Sequence, residues 1–137
     1  MRVLFVCRAN VGRSQMAMAL YTLQRPGEAE SAGTIVEEPG QVLRDRPGND
    51  ATFEAMREVG ADISDNIRRP VTPELVSVVD RVIVLAERET WPEYLVDNPK
   101  VEAWEVQDPR GKDLATLRQI RDDLRDRVGD LIRRLTA

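Results

Sequence analysis

The chain has 137 residues, 42% hydrophobic and 32% charged, with 20 Lys plus Arg against 24 Asp plus Glu, one Cys and no His. A single cysteine excludes an intrachain disulfide, a paired-thiol redox motif and a cysteine-rich zinc site, and the lack of histidine excludes Ser-His-Asp and Cys-His pairs, phosphohistidine chemistry and the commonest metal-ligand sets. The length predicts one domain spanning 1–137. The net charge of −4 argues against a nucleic-acid partner, and no apolar run approaches the ~20 residues that cross a bilayer. The expectation is a cytoplasmic protein without anchor, signal peptide, metal or cofactor.

Val3-Leu4-Phe5-Val6-Cys7 is continuously apolar, the pattern of a central strand covered on both faces. A tight loop from Arg8 to Arg13 follows, and from Ser14 the strong helix formers Gln15, Met16, Ala17, Met18, Ala19 and Leu20 begin a helix. A second strand is predicted around Glu30 to Thr34, and Glu37 to Gly48 reads as loop. Asn49 then caps a helix carrying Phe53, Met56 and Val59 and closed by Gly60. Thr72-Pro73-Glu74 is another helix start, with a capping hydroxyl, Pro at the first helical position and an early acid. Strands are predicted at Arg81 to Leu85 and Val101 to Val106, with a short helix near Arg88 to Leu95 between them. Asp113 caps a long final helix whose Leu114, Leu117, Ile120, Leu124, Val128, Leu131 and Leu135 step by three or four and form a core face. Alternating strands and helices give an α/β fold with a parallel sheet, helices on both faces and right-handed crossovers.

The loop from Cys7 to Arg13 lies where the first strand hands over to the first helix, the carboxyl edge at which parallel sheets bind ligands. Free amides at a helix start and the positive end of its dipole suit a phosphate-like oxyanion. Gly12 lets backbone approach it, and Arg13 can clamp two of its oxygens. The same field favours a thiolate at Cys7. Cys7 as a plain core residue and Arg13 as a surface charge form the alternative, and with 18 Arg in the chain a lone Cys-x5-Arg is weak. Ser14 directly after Arg13, in a strand-loop-helix context, makes the combination specific.

The stretch from Val3 to Ala17, through Cys7-Arg8-Ala9-Asn10-Val11-Gly12-Arg13-Ser14, resembles the low-molecular-weight protein tyrosine phosphatase family, which includes related arsenate reductases. Ser31-Ala32-Gly33-Thr34, Asp62-Ile63-Ser64, Asp80 to Val84 and Trp104 to Pro109 continue the likeness over nearly the whole chain. The resemblance implies a four-stranded parallel sheet flanked by helices and phosphomonoester hydrolysis through a cysteinyl-phosphate. It makes Cys7 the nucleophile, Arg13 the clamp, Asp108 the general acid and then base, Ser14 a hydrogen-bond donor to the thiolate and Asn10 a brace for the loop. Arg8, Ala9, Asn10, Val11, Gly12, Arg13 and Ser14 would surround the bound phosphate- or sulfate-like anion. On its own chemistry Asp108-Pro109 could equally be a turn.

Gly12 stands where several family phosphatases have a second, protective cysteine, and Arg110-Gly111 follows the Asp-Pro where phosphotyrosine-directed members place aromatics. With 4% aromatic residues, an aromatic-walled cleft is not expected. Arg8 either attracts acidic substrates at the mouth or is a solvated arginine, and Asn66 replaces a frequent histidine. Gly12 to Ala17 is similar to the arsenate reductase branch, but Leu85 to Pro92 holds none of the cysteines of thioredoxin-coupled reductases. A reductase would need an external thiol: glutathione, a glutaredoxin-like partner or a mycothiol-like compound. The expected substrates are a phosphorylated protein or small phosphomonoester, or else arsenate. A non-catalytic anion-binding module is the third alternative.

Overall fold

A computed structural model describes residues 1–136. Strand β1 (Val3–Cys7) is buried along its whole length because it runs through a four-stranded parallel sheet. The order is β2-β1-β3-β4, with β2 at Ala29–Gly33, β3 at Arg81–Val84 and β4 at Val101–Ala103. Alternation along β1 feeds two cores, one taking Val3, Phe5 and Cys7, the other Leu4 and Val6. This is why the strand reads as an unbroken apolar run.

The two faces are covered unequally. The face of Phe5 packs against α1 (Arg13–Gln24), α2 (Asp50–Arg57) and α4 (Leu114–Leu135), and the Phe5 ring lies 6.0 Å from both Tyr21 and Trp104. Leu117, Ile120, Leu124, Val128 and Leu131 of α4 are buried there, each contributing about 1.5–3 kcal/mol. The other face is covered by the short α3 (Pro73–Ser77) through Val76, helped by Leu95, Trp91 and Tyr94.

The capping expectations hold at Thr72 and Asp113, whose side chains accept from the backbone N–H of Leu75 and Thr116. Gly60 closes α2 with φ +87°, a left-handed conformation suited to glycine. Asn49 precedes α2 but does not cap it; its Nδ2 donates to the carbonyls of Arg46 and Leu43, tying down the preceding loop. That loop contains a 3-10 turn at Leu43–Asp45. The short helix expected near Arg88 to Leu95 is two 3-10 turns, Arg88–Thr90 and Glu93–Leu95, because Trp91 and Pro92 are extended. The last strand stops at Ala103, three residues before the predicted end, although Trp104 and Val106 remain buried as core plugs. No helix of the described residues is long and apolar enough to cross a membrane.

From β1 the chain builds β2 on one side, then returns past β1 to build β3 on the other. The carboxyl end of β1 is therefore the switch point at which a parallel sheet opens a crevice.

Candidate active site

The loop after β1 is held by its own buried polar groups. Asn10 is fully buried with φ 57°, a left-handed conformation that asparagine tolerates better than most residues. Its Nδ2 donates to Ser14 Oγ at 2.8 Å and Ser31 Oγ at 3.0 Å, and its Oδ1 accepts from the Arg69 backbone N–H at 2.9 Å. The Asn10 carbonyl accepts from Gln15 Nε2, whose amide oxygen accepts from Asn66 Nδ2. From the β2 side, Thr34 and Ile35 donate backbone N–H groups to the carbonyls of Cys7 and Arg8. Gly33 lies so close that a Cβ there would meet the Arg8 carbonyl oxygen at 2.7 Å. That approach accounts for a small residue of poor strand propensity at the end of β2.

The loop carbonyls of Cys7, Arg8 and Asn10 are engaged in this way, but several of its amides are not. Those of Ala9, Val11 and Gly12 donate to nothing among the described residues, and α1 starts at Arg13. Unpaired amides beside a helix start are the kind of arrangement that can hold an oxyanion. Cys7 Sγ lies 3.0 Å from Ser14 Oγ. When the sulfur is a thiolate, only the Ser14 hydroxyl can donate in that bond.

Arg13 is buried, and its Nη1 donates to the Leu85 carbonyl at 2.9 Å and to Glu87 Oε1 at 3.2 Å, with the Val106 carbonyl at 3.5 Å. Nε and Nη2 have no partner among the described residues. These two nitrogens share the edge of the guanidinium that forms a two-pronged clamp, so one corner anchors the group and its binding edge stays free.

A cleft of about 490 Å³ is lined by Cys7, Arg8, Ala9, Val11, Gly12, Arg13, Asp108 and Pro109, among others. Asp108 is exposed and accepts the Arg110 backbone N–H at 3.0 Å, a local turn that sets its carboxylate at the rim. Pro109 seats this rim directly on the loop: a Cβ on Gly12 would lie 2.5 Å from Pro109 Cγ. Gly12 is thus the contact through which the Asp108 segment meets the loop after β1. Asn10 and Ser14 do not line the cleft; they stand behind the loop and brace it. None of the six aromatic residues lines it.

Several side chains have roles here that the sequence alone does not assign. Ser31, Gln15 and Asn66 complete the brace, and Glu87 anchors Arg13 with one oxygen while Oε2 has no hydrogen-bond partner among the described residues. Arg68 is only 2% exposed yet lines the cleft. Its Nε donates to the Ala9 carbonyl at 3.1 Å and its Nη1 to Gln41 Oε1 at 2.8 Å. Burial and, secondarily, the nearby Arg46 push its pKa down from the usual guanidinium range. In a chain with 18 arginines no sequence signal marks this one.

The low molecular weight phosphotyrosine protein phosphatase family matches residues 2–137. A putative arsenate reductase of Halobacterium salinarum is 30% identical over 127 residues, covering 93% of this chain and 87% of that protein. A glutaredoxin arsenate reductase of Synechocystis sp. is 29% identical over 136 residues, 98% of each. Among solved structures, a low molecular weight protein tyrosine phosphatase from T. tengcongensis superposes with a TM-score of 0.82 at 27% identity, covering 98% of this chain and 99% of that one. An arsenate reductase in its phosphate-binding state superposes at 0.79 with 29% identity and 98% coverage of both. The chain is an enzyme fold shared by phosphatases and arsenate reductases, and it belongs to the low molecular weight phosphotyrosine protein phosphatase family.

Proposed function

We propose that the chain hydrolyses phosphomonoesters through a cysteinyl-phosphate. The observation that carries this reading is the convergence of Cys7, the free edge of Arg13 and the Asp108 carboxyl on one cleft. Cys7 thiolate attacks phosphorus while the unpaired loop amides and Arg13 hold the equatorial oxygens. The ester P–O bond breaks, and Asp108 gives its proton to the departing oxygen. Asp108 carboxylate then takes a proton from water, whose oxygen attacks phosphorus. The S–P bond breaks, inorganic phosphate leaves, and the sulfur departs as a thiolate that accepts the Ser14 hydroxyl hydrogen. The substrate is a phosphorylated protein or small phosphomonoester, recognised without an aromatic sandwich. The protein works in the cytoplasm.

The test is hydrolysis of an aryl phosphate in the presence of a chelator, beside a Cys7→Ser variant. Loss of at least about 10³-fold in the variant supports the mechanism. Equal rates would sink it.

The arsenate reductases among the relatives favour a second reading. Cys7 thiolate attacks arsenate and displaces hydroxide, forming a sulfur–arsenic(V) bond. An external thiolate then attacks Cys7 Sγ; the S–As electron pair passes to arsenic, arsenite leaves, and a mixed disulfide remains for a second external thiol to resolve. With one cysteine in the chain, both reducing thiols come from outside. Arsenate-dependent NADPH consumption with a low-molecular-weight thiol and its recycling enzyme, alongside negligible phosphatase activity, would establish this reading over the first. No feature of the site favours a non-catalytic anion-binding module.

A further inference from the structure

Arg13 accounts for one anionic group, but the cleft holds more positive charge than that. Arg8, Arg46, Arg68 and Arg110 also line it. None of these four has a carboxylate within salt-bridge distance among the described residues, whereas Arg13 is anchored by Glu87. Arg68 is the telling member, because a fully buried guanidinium normally has a carboxylate partner. Its Nε and Nη1 are satisfied by the Ala9 carbonyl and Gln41 Oε1, while Nη2 has no partner among the described residues. Glu37 and Glu38, the acids that act on its charge, are exposed; Glu37 lines the cleft too, but neither forms a salt bridge with Arg68 among the described residues. Arg46, which follows the Leu43–Asp45 turn, lines the same cleft close enough to act on the Arg68 charge, and its guanidinium also makes no hydrogen bond or ion pair among the described residues.

We propose that Arg68, with Arg46, forms a second anion subsite beside the Cys7 loop, so that the enzyme selects small phosphoryl compounds carrying another phosphoryl or carboxylate group next to the reacting one. This inference rests on the phosphomonoester reading for the reaction but not for the binding. The loop amides and the Arg13 edge take the reacting group. The Arg68 Nη2 hydrogens and the Arg46 guanidinium take the neighbouring anion, which supplies the countercharge that the fold withholds from Arg68. A purely structural Arg68, tying Ala9 to the Gln41 segment, would not discriminate between ligands of different charge.

Three compounds that are not hydrolysed separate these possibilities: methylphosphonate with one anionic group, phosphonoacetate with an added carboxylate, and methylenediphosphonate with an added phosphoryl. Calorimetric titration of the wild type is expected to show at least about tenfold tighter binding of one or both doubly anionic compounds than of methylphosphonate. The compound with the larger advantage identifies the second group. In Arg68→Gln the advantage falls below about threefold while methylphosphonate binding changes by less than about threefold. Equal wild-type affinities for all three compounds would overturn the proposal. So would an advantage kept in Arg68→Gln, or loss of methylphosphonate binding along with it, which would put Arg68 in the primary site or the scaffold. If circular dichroism shows Arg68→Gln unfolded, Arg46→Ala decides: a reduced advantage supports the subsite and an unchanged one refutes it. Because no compound is turned over, these results stand whether or not the chain hydrolyses an aryl phosphate.

Discussion

The cleft and the seam between α2 and α4 use arginine in opposite ways. At the seam, Glu58 receives Arg118 Nε and Nη2, the latter at 2.6 Å, and Arg121 Nη1 at 2.7 Å. Arg121, itself buried, also donates to the Ala55 carbonyl. Charge there is neutralised within the chain, so it contributes to holding two helices together. In the cleft, Arg13 keeps its Nε–Nη2 edge free and Arg68 makes no salt bridge with a carboxylate among the described residues. Such charge does little for the isolated fold and is available to an anion. Substitutions of the charged groups in the cleft should therefore act on activity, substitutions in the brace behind it on both activity and stability, and substitutions at the seam on stability alone.

The largest contrast is expected at Asp108. Asp108→Ala should slow turnover of esters with poor leaving groups by about 10²-fold or more and those with good leaving groups far less, since protonation matters only for the former. Its melting temperature should stay close to the wild type, because the side chain is exposed and accepts only the Arg110 amide. A uniform loss across a leaving-group series would make Asp108 a structural turn residue.

Asn10→Ala crosses the boundary between the two regimes. It removes three side-chain hydrogen bonds and places a residue less tolerant of φ 57° in a buried loop. A loss of about 2–4 kcal/mol in urea unfolding is expected, together with reduced activity. Full stability with normal turnover would show that the brace is dispensable.

Gly12→Ala is expected to cost about 1–3 kcal/mol, because the new methyl group meets the Pro109 ring. The same change made on a Pro109→Ala background should cost much less, and the double-mutant cycle measures the coupling. Additive effects would mean that the rim does not rest on the loop.

The smallest effect belongs to the seam. The Arg118 and Arg121 hydrogen bonds hold the Glu58 pKa at about 2, below its ordinary 4.5. The folded value is depressed, so this stabilisation is present above pH 4.5 and is lost as pH falls towards 2. Glu58→Gln should flatten that part of the acid-unfolding curve and leave aryl phosphate turnover at neutral pH unchanged. An identical acid limb in the variant would argue that solvent screens the pair.

Legibility in the sequence followed how local each signal was. The continuous apolar run of β1 and the three-and-four spacing of α4 could be read directly, as could the caps at Thr72 and Asp113, whose partners lie three residues away. The break at Trp91-Pro92 was missed because apolar content there reflects packing on the second face and not helical period. The overlong last strand has a related cause: Trp104 and Val106 are buried without being in the sheet. At the site, Cys7, Gly12, Arg13 and Ser14 were legible because strand, loop and helix follow one another without interruption. Asp108 entered only through family likeness, since Asp-Pro by itself also describes a turn.

The sequence by itself determined the chemistry available: one thiol, no histidine, and a Cys-x5-Arg-Ser loop between the first strand and the first helix. Those properties depend on composition and on neighbours in the chain, which folding does not rearrange. Only the tertiary structure decided which distant groups join that loop. It set Pro109 on Gly12 and Glu87 on Arg13, and it buried Arg68 against Ala9 without a salt-bridge partner among the described residues. These contacts span roughly 60 to 100 residues of chain, and the sheet order that brings them to the end of β1 is a property of the whole fold.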